Sequence, residues 1–315
     1  MMGENGANSP NGSPQRDSFA EVGPWAKEKL QALSRYLDYY TKVLKNQRWR
    51  KIYLDAFAGG GRAVVRADQK ADRQSSKLFE EPDAEAVELI DGSPRVALSI
   101  ANPFDRYVFL DPDQRRVDEL ELLRQEFEGR RTIDVRRETA AEGIDWLTKQ
   151  NVRKSTHRGV AFLDPFGANL DWGSVAKLAQ TGLFEVVVNF PLGMAIQRML
   201  PNTGVVPEAW SIKLDQLFGD RAWFDAAYRS RAPGLFADDG REKKPDYLRN
   251  LLELYRDRLK GAFGHVSEPR LIRNTRGAPL YFLVWAGPHP KGLAGANYIL
   301  GMGEKVASTR SAAEE

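Results

Sequence analysis

The sequence predicts an α/β fold: a doubly wound, Rossmann-like sheet with an inserted helical region and a terminal antiparallel strand pair. Five short apolar runs, at 52–57, 107–110, 133–135, 160–163 and 184–190, are bounded by turn residues, the pattern of strands buried on both faces of a parallel sheet. Helical patterns at 94–100, 114–128, 140–149 and 172–179 separate them, as crossover helices do. Acidic and glycine-rich turns stand at the carboxyl ends of several runs, where open α/β sheets bind their ligands.

Taken in order, residues 1–20 are rich in Gly, Asn, Ser and Pro and read as a disordered tail. Pro24 opens a helix whose Leu30, Leu33, Leu37, Tyr40 and Leu44 share one face. The core, 21–206, follows from there. Ser93-Pro94 reads as a helix start, with the hydroxyl as N-cap and proline in the first turn. About thirty residues (63–92) precede it and read as a loop or lid over a site. Beyond 206 the texture becomes helical and charged, and 207–264 reads as an inserted helical subdomain. Strands at about 268–274 and 279–286, joined by Asn274-Thr275-Arg276-Gly277, suit an antiparallel hairpin that completes the core sheet within 265–302. The last residues, 303–315, read as a second tail.

Composition removes several chemistries. The 315 residues include no cysteine, which excludes disulfides, thiolate nucleophiles and cysteine-based zinc or iron–sulfur sites. Three histidines, His157, His265 and His289, make a histidine metal site improbable. Lys and Arg number 46 against 43 Asp and Glu, a net charge of +3; a local basic face would be hidden in that sum. No apolar run approaches a membrane span and the N-terminus has no secretory pattern, so the expected location is the cytoplasm.

Four strand ends carry candidate chemistry. Asp55-Ala56-Phe57-Ala58-Gly59-Gly60-Gly61-Arg62 follows the first strand; its glycines permit a tight turn and close approach of a ligand. It lacks the dinucleotide pattern G-x-G-x-x-G, and a plain surface turn is the alternative. Asp111, in Asp111-Pro112-Asp113 after the second strand, stands where a ribose diol is gripped. Its alternative is helix capping, with Pro112 opening the helix and Asp113 sharing the task. Glu138, after the third strand, suits an adenine amino group, or equally a solvated first-turn acid. Asp164-Pro165-Phe166-Gly167 ends the fourth strand. It sets a carboxylate, a carbonyl and a stacking face around one point, which suits an amine nucleophile on a planar ring. The alternative is a turn in which Asp164 caps a helix begun by Pro165. Asn189-Phe190-Pro191 after the fifth strand would face the same crevice, with Gln197 and Arg198 following. A structural role is expected for His289, and the basic clusters 48–51, 130–131 and 136–137 read mostly as solvated faces.

Together, Tyr53-Leu54-Asp55-Ala56-Phe57-Ala58-Gly59-Gly60-Gly61, Asp91-Gly92-Ser93-Pro94 and Phe162-Leu163-Asp164-Pro165-Phe166-Gly167, in that order, resemble the three-Cys-motif partner protein (TcmP) family across about residues 24–300. The stretches Pro279-Leu280-Tyr281-Phe282-Leu283 and 287–292 resemble its tail. Glu138 departs from it, since the family favours aspartate there, as does the third glycine of the first loop. The family is similar to class I S-adenosylmethionine-dependent methyltransferases and is named for a radical-type protein with a three-cysteine motif. Asp-Pro-Phe-Gly also resembles the fourth motif of tRNA guanine-N2 methyltransferases. The resemblance implies S-adenosylmethionine as cofactor, with Gly59 and Gly61 admitting it, Asp55 orienting its methionine part, Asp111 on the ribose and Glu138 on the adenine. Asp164, with Pro165 and Phe166, would sit at the methyl-accepting centre. The expected acceptor is a nitrogen or oxygen of a nucleic acid or modified nucleoside. A catalytically idle module that binds a partner protein is the alternative.

Overall fold

The computed structural model describes residues 20–23, 25–66, 87–193, 195–231, 240–274 and 276–302. The expected tails, 1–19 and 303–315, and the middle of the expected lid, 67–86, lie outside the described residues. The elements are β1 (Ala20–Val22), α1 (Trp25–Val43), β2 (Arg50–Asp55), β3 (Arg62–Arg66), β4 (Val87–Asp91), α2 (Ser93–Leu98) and β5 (Arg106–Leu110). There follow α3 (Gln114–Glu126), β6 (Ile133–Arg136), α4 (Ala140–Thr148), β7 (His157–Leu163), α5 (Trp172–Gln180), β8 (Phe184–Phe190) and a 3-10 turn at Ile196–Met199. Last come α6 (Glu208–Phe218), α7 (Ala222–Ala227), β9 (Tyr228–Ser230), β10 (Arg241–Lys243), α8 (Tyr247–Phe263), β11 (His265–Val266), β12 (Arg270–Arg273), β13 (Pro279–Gly287) and α9 (Pro290–Leu300).

The central sheet is ordered β6-β5-β2-β7-β8-β13, with β11 and β12 both pairing the outer side of β13. Strands β6, β5, β2, β7 and β8 are mutually parallel, and β13 runs antiparallel to β8. The five apolar runs and the terminal hairpin therefore form a mixed, mostly parallel, Rossmann-like sheet. From β2 the chain winds outward to β5 and β6, then returns to add β7 and β8 on the other side. This reversal puts a crevice at the carboxyl ends of β2 and β7.

Side chains alternate along each strand, and both faces are covered. Tyr53, Tyr107, Phe109, Phe162 and Trp285 pack against α1, α2, α3 and α9; Ile52, Leu54, Val108, Leu163 and Phe190 pack against α4, α5, α6 and α8. α1 lies on the sheet because Leu33, Tyr36, Leu37 and Tyr40 recur at helical spacing and are buried. Residues 207–264 carry α6, α7, α8 and the β9–β10 ribbon, and Leu214, Leu217, Leu251 and Tyr255 join the core on their face of the sheet.

Several local expectations are corrected. Ser93 does not cap α2: Gly92 holds the cap position without a side-chain bond, and Ser93 is buried inside the first turn. Pro112 does not open α3, which begins at Gln114 and is capped by Asp113. Nor does Pro165 open α5, which begins at Trp172 under an Asp171 cap. The ends of the expected lid are strands, because Arg62–Arg66 pairs antiparallel with Val87–Asp91 and β1 adds parallel to β3.

Candidate functional site

The first strand end is built on a buried acid. Asp55 is 0% exposed and accepts hydrogen bonds from the Tyr53 hydroxyl (3.2 Å) and the Phe57 amide (3.4 Å). Ser93 completes the set with a further hydrogen bond. Burial pushes the Asp55 carboxyl up to about 7, against the pull of those hydrogen bonds, with the charge of Asp164 adding to the rise. The side chain thus lies under the turn and braces it, and the misplaced cap Ser93 has its function here. Phe57 packs down against the core. Above it Gly59 and Gly61 adopt φ of +60° and +78°, the left-handed region that glycine alone enters without strain. A β-carbon on Gly59 would meet open space, so backbone conformation, rather than crowding within the protein, selects glycine there.

Asp111 directly follows β5 and is 3% exposed. Its Oδ2 accepts from the Gly59 amide at 3.1 Å and lies 3.4 Å from Arg116 Nη1, while Oδ1 accepts from the Asp113 amide at 2.9 Å. Asp113 accepts the Arg116 amide as the cap of α3. The two acids have divided the roles: Asp113 serves the helix and Asp111 ties the glycine turn to the second strand. Glu138 is ion-paired to Arg136, whose guanidinium lies 3.9 Å from the centre of the Trp146 ring.

Asp164, at the end of β7, faces α1. Its Oδ2 is 2.5 Å from Lys29 Nζ and its Oδ1 accepts from Asn189 Nδ2 at 2.6 Å. Asn189 is 1% exposed, and its own Oδ1 is buried without a partner. Capping is therefore excluded for Asp164. Pro165 is buried and Phe166 stands 86% exposed beside it. Two further links fasten α1 over this end of the sheet: Arg270 donates to Glu28 at 2.7 Å, and Trp25 hydrogen-bonds Tyr281.

The structure thus brings Gly59, Gly61, Asp111 and Asp164 to neighbouring carboxyl ends of one sheet, with Asp55 beneath them and Glu138 held aside by Arg136. Lys29, 135 residues from Asp164 in the chain, left no signal in the sequence. Asn189 left one, its place near the end of the fifth apolar run. Arg198 is exposed on the 3-10 turn, and His289 caps α9 by accepting the Lys291 amide at 3.1 Å. Among the described residues no cluster of His, Asp or Glu is placed to hold a metal ion, and no helix is long and apolar enough to cross a membrane.

No family model matches the chain, and no curated protein does. Solved structures give distant likenesses. A Legionella pneumophila protein assigned to family DUF519 shares 14% identity over 88% of this chain and 91% of its own, with a TM-score of 0.43. The spermidine synthase of Thermotoga maritima shares 10% over 86% of this chain and 62% of its own, at 0.40. An Escherichia coli protein provisionally assigned as a methyltransferase shares 12% over 81% and 87%, at 0.32. At such scores these likenesses carry no argument about function, which rests on the geometry of this chain.

Proposed function

We propose that this chain transfers a methyl group from S-adenosylmethionine to a nitrogen or oxygen of a nucleic acid or modified nucleoside. The observation behind this reading is one convergence: the Gly59–Gly61 turn, the buried Asp111 and the Asp164–Asn189 pair meet at the crevice where the strand order reverses. The residues present fit the cofactor. Open space lies beside Gly59, and the Asp111 carboxylate, bonded to the Gly59 amide, adjoins it with an acceptor suited to a ribose hydroxyl. When bound, the cofactor supplies a methyl group activated by its sulfonium.

The protein's part is placement. The Gly59–Gly61 backbone borders the cofactor, and Asp55 sets that backbone from below. Asp111 takes a ribose hydroxyl in place of its long contact to Arg116, a charge-assisted bond of about 1.5–3 kcal/mol. Glu138 reaches the adenine only by releasing Arg136. At the acceptor end an amine would donate N–H to Asp164, leaving its lone pair for the methyl the cofactor would supply and passing the proton released on methylation to Asp164 or to solvent. Phe166 offers a planar face to the acceptor ring.

The test pairs calorimetry with turnover. S-adenosylmethionine should bind with a micromolar Kd, about −8 kcal/mol. Asp164→Ala should leave that affinity within a few-fold while methyl transfer to RNA or DNA falls on the order of 10²–10³. No heat and no thermal shift at millimolar cofactor would refute the reading.

One observation favours the second reading, an idle module for a partner such as a three-cysteine-motif radical-type protein. Asp164 and Glu138 are already satisfied within the protein by Lys29, Asn189 and Arg136. Cofactor-independent capture of such a partner, lost on Phe166→Ala, is its distinguishing outcome.

A further inference from the structure

The amino-terminal edge of the sheet gathers charge that the sequence holds in separate places. Segments 45–51 and 153–158 contain seven Lys and Arg and no Asp or Glu. Parallel pairing of β2 with β7 sets Arg50 beside His157 and Lys51 beside Arg158, and the Arg50 amide donates to Thr156 at 2.9 Å. The two basic segments therefore form one surface. Lys45, Arg48, Arg50, Arg153 and Lys154 are exposed and have no ion pair among the described residues. Elsewhere some arginines are matched, as Arg95 is by Glu126, Arg106 by Asp134 and Arg256 by Glu253, and others such as Arg137 and Arg249 are exposed singly; this edge differs in gathering five such cations on two paired segments. Lys51 is 4.0 Å from Asp105, and Arg158 lies over the half-buried Trp49 ring at 4.0 Å. His157 is held below its ordinary range first by burial and then by the charge of Arg50 and Arg106.

We propose that this edge, at the opposite end of the strands from the crevice, docks the phosphate backbone of a polynucleotide. Unpaired guanidiniums bind phosphate oxygens in a bidentate fork, and several spread over two adjacent strands suit a repeating anion. The inference rests on the methyl-transfer reading for the acceptor and gives that acceptor a minimum size. β2 has six residues, and at a rise of about 3.3 Å each the patch lies roughly 20 Å from the glycine turn. A duplex touching both ends needs at least six or so base pairs, at about 3.4 Å each, so the substrate is a folded or long nucleic acid and free nucleosides are poor acceptors.

The test is the combined variant Arg48→Glu, Arg50→Glu, Arg153→Glu and Lys154→Glu, four exposed positions whose change should leave melting temperature and cofactor heat as in the wild type. Anisotropy with labelled 20-base-pair RNA and DNA duplexes is followed across salt concentrations. Affinity should fall at least tenfold, and the slope of log K against log salt should shrink by about 3–4, close to one unit per lost phosphate contact. Unchanged affinity and slope would overturn the proposal. So would equal binding of polyglutamate matched in charge, which would make the patch a site for an acidic protein. Cofactor heat with an inert patch defeats this inference alone; a patch that binds duplex without cofactor heat defeats the methyl-transfer reading alone.

Discussion

Replacing Asp55 by Asn should remove a pH dependence of stability that this single carboxyl imposes. An aspartate in the unfolded chain titrates near 3.9; burial moves Asp55 to about 7 in the folded protein. Between those values the native state holds a proton that the unfolded state has lost, so unfolding releases it. The stability associated with neutral Asp55 is therefore fully present below about pH 4 and disappears as pH rises through about 7. The full span of about three pKa units corresponds to roughly 4 kcal/mol, of which more than half falls between pH 5 and 8. Asn has nearly the same shape and cannot ionise. Urea unfolding of both proteins at half-unit steps gives the difference in unfolding free energy, in which titrating groups common to both cancel. The wild-type advantage should decline by roughly 2–3 kcal/mol from pH 5 to 8 and then level off. A difference that stays flat across that range would falsify the account of Asp55 as a buried, proton-holding brace.

Asp111→Ala should weaken cofactor binding and loosen the glycine turn, since it removes the Gly59 amide's acceptor; Asp113→Ala should cost only the cap of α3, seen as a small drop in melting temperature, with calorimetric affinity unchanged. Gly61→Ala places a β-carbon at φ +78° and 3.2 Å from a Leu123 methyl, so chemical denaturation should show a loss of at least 1–2 kcal/mol, the rough cost of the left-handed conformation. Thr139→Ala breaks the capping box of α4, in which Thr139 and Glu142 exchange side-chain-to-backbone bonds. It should lower stability by about 1 kcal/mol without touching cofactor affinity.

What the sequence made legible was whatever its local pattern encodes. The runs that became β2, β5, β6, β7 and β8 are apolar for a physical reason, burial between two helical layers, and their turn residues mark the ends. Asp55, Asp111 and Asp164 stood out because each stands at or just past the end of such a strand. Their partners did not, because Lys29 and Ser93 reach them through tertiary folding that no spacing records. Ser93 shows the limit clearly: Ser-Pro satisfies the local rule for a cap, yet the competing bond to buried Asp55 takes the hydroxyl. The strands at 62–66 and 87–91 were missed since they pair across a long intervening segment and lack the alternation of a half-buried strand. The basic edge was invisible for the same reason as Lys29: residues 45–51 and 153–158 become one surface only once β2 and β7 pair.

The hairpin that closes the sheet has a consequence for how the molecule comes into being. β8 is complete at residue 190, but its outer edge is covered only by β13, from residue 279 onward. Trp285, whose indole donates to Tyr36 at 2.5 Å across 249 residues of chain, arrives equally late. During synthesis, then, β8 waits as an open apolar strand edge while about ninety further residues leave the ribosome, several seconds or more at ordinary elongation rates. Such an edge invites pairing with a neighbour on the same message. The nascent chain should accordingly lean on chaperones until its final strand emerges, and a stop codon anywhere before 279 should yield aggregate in place of a smaller soluble domain.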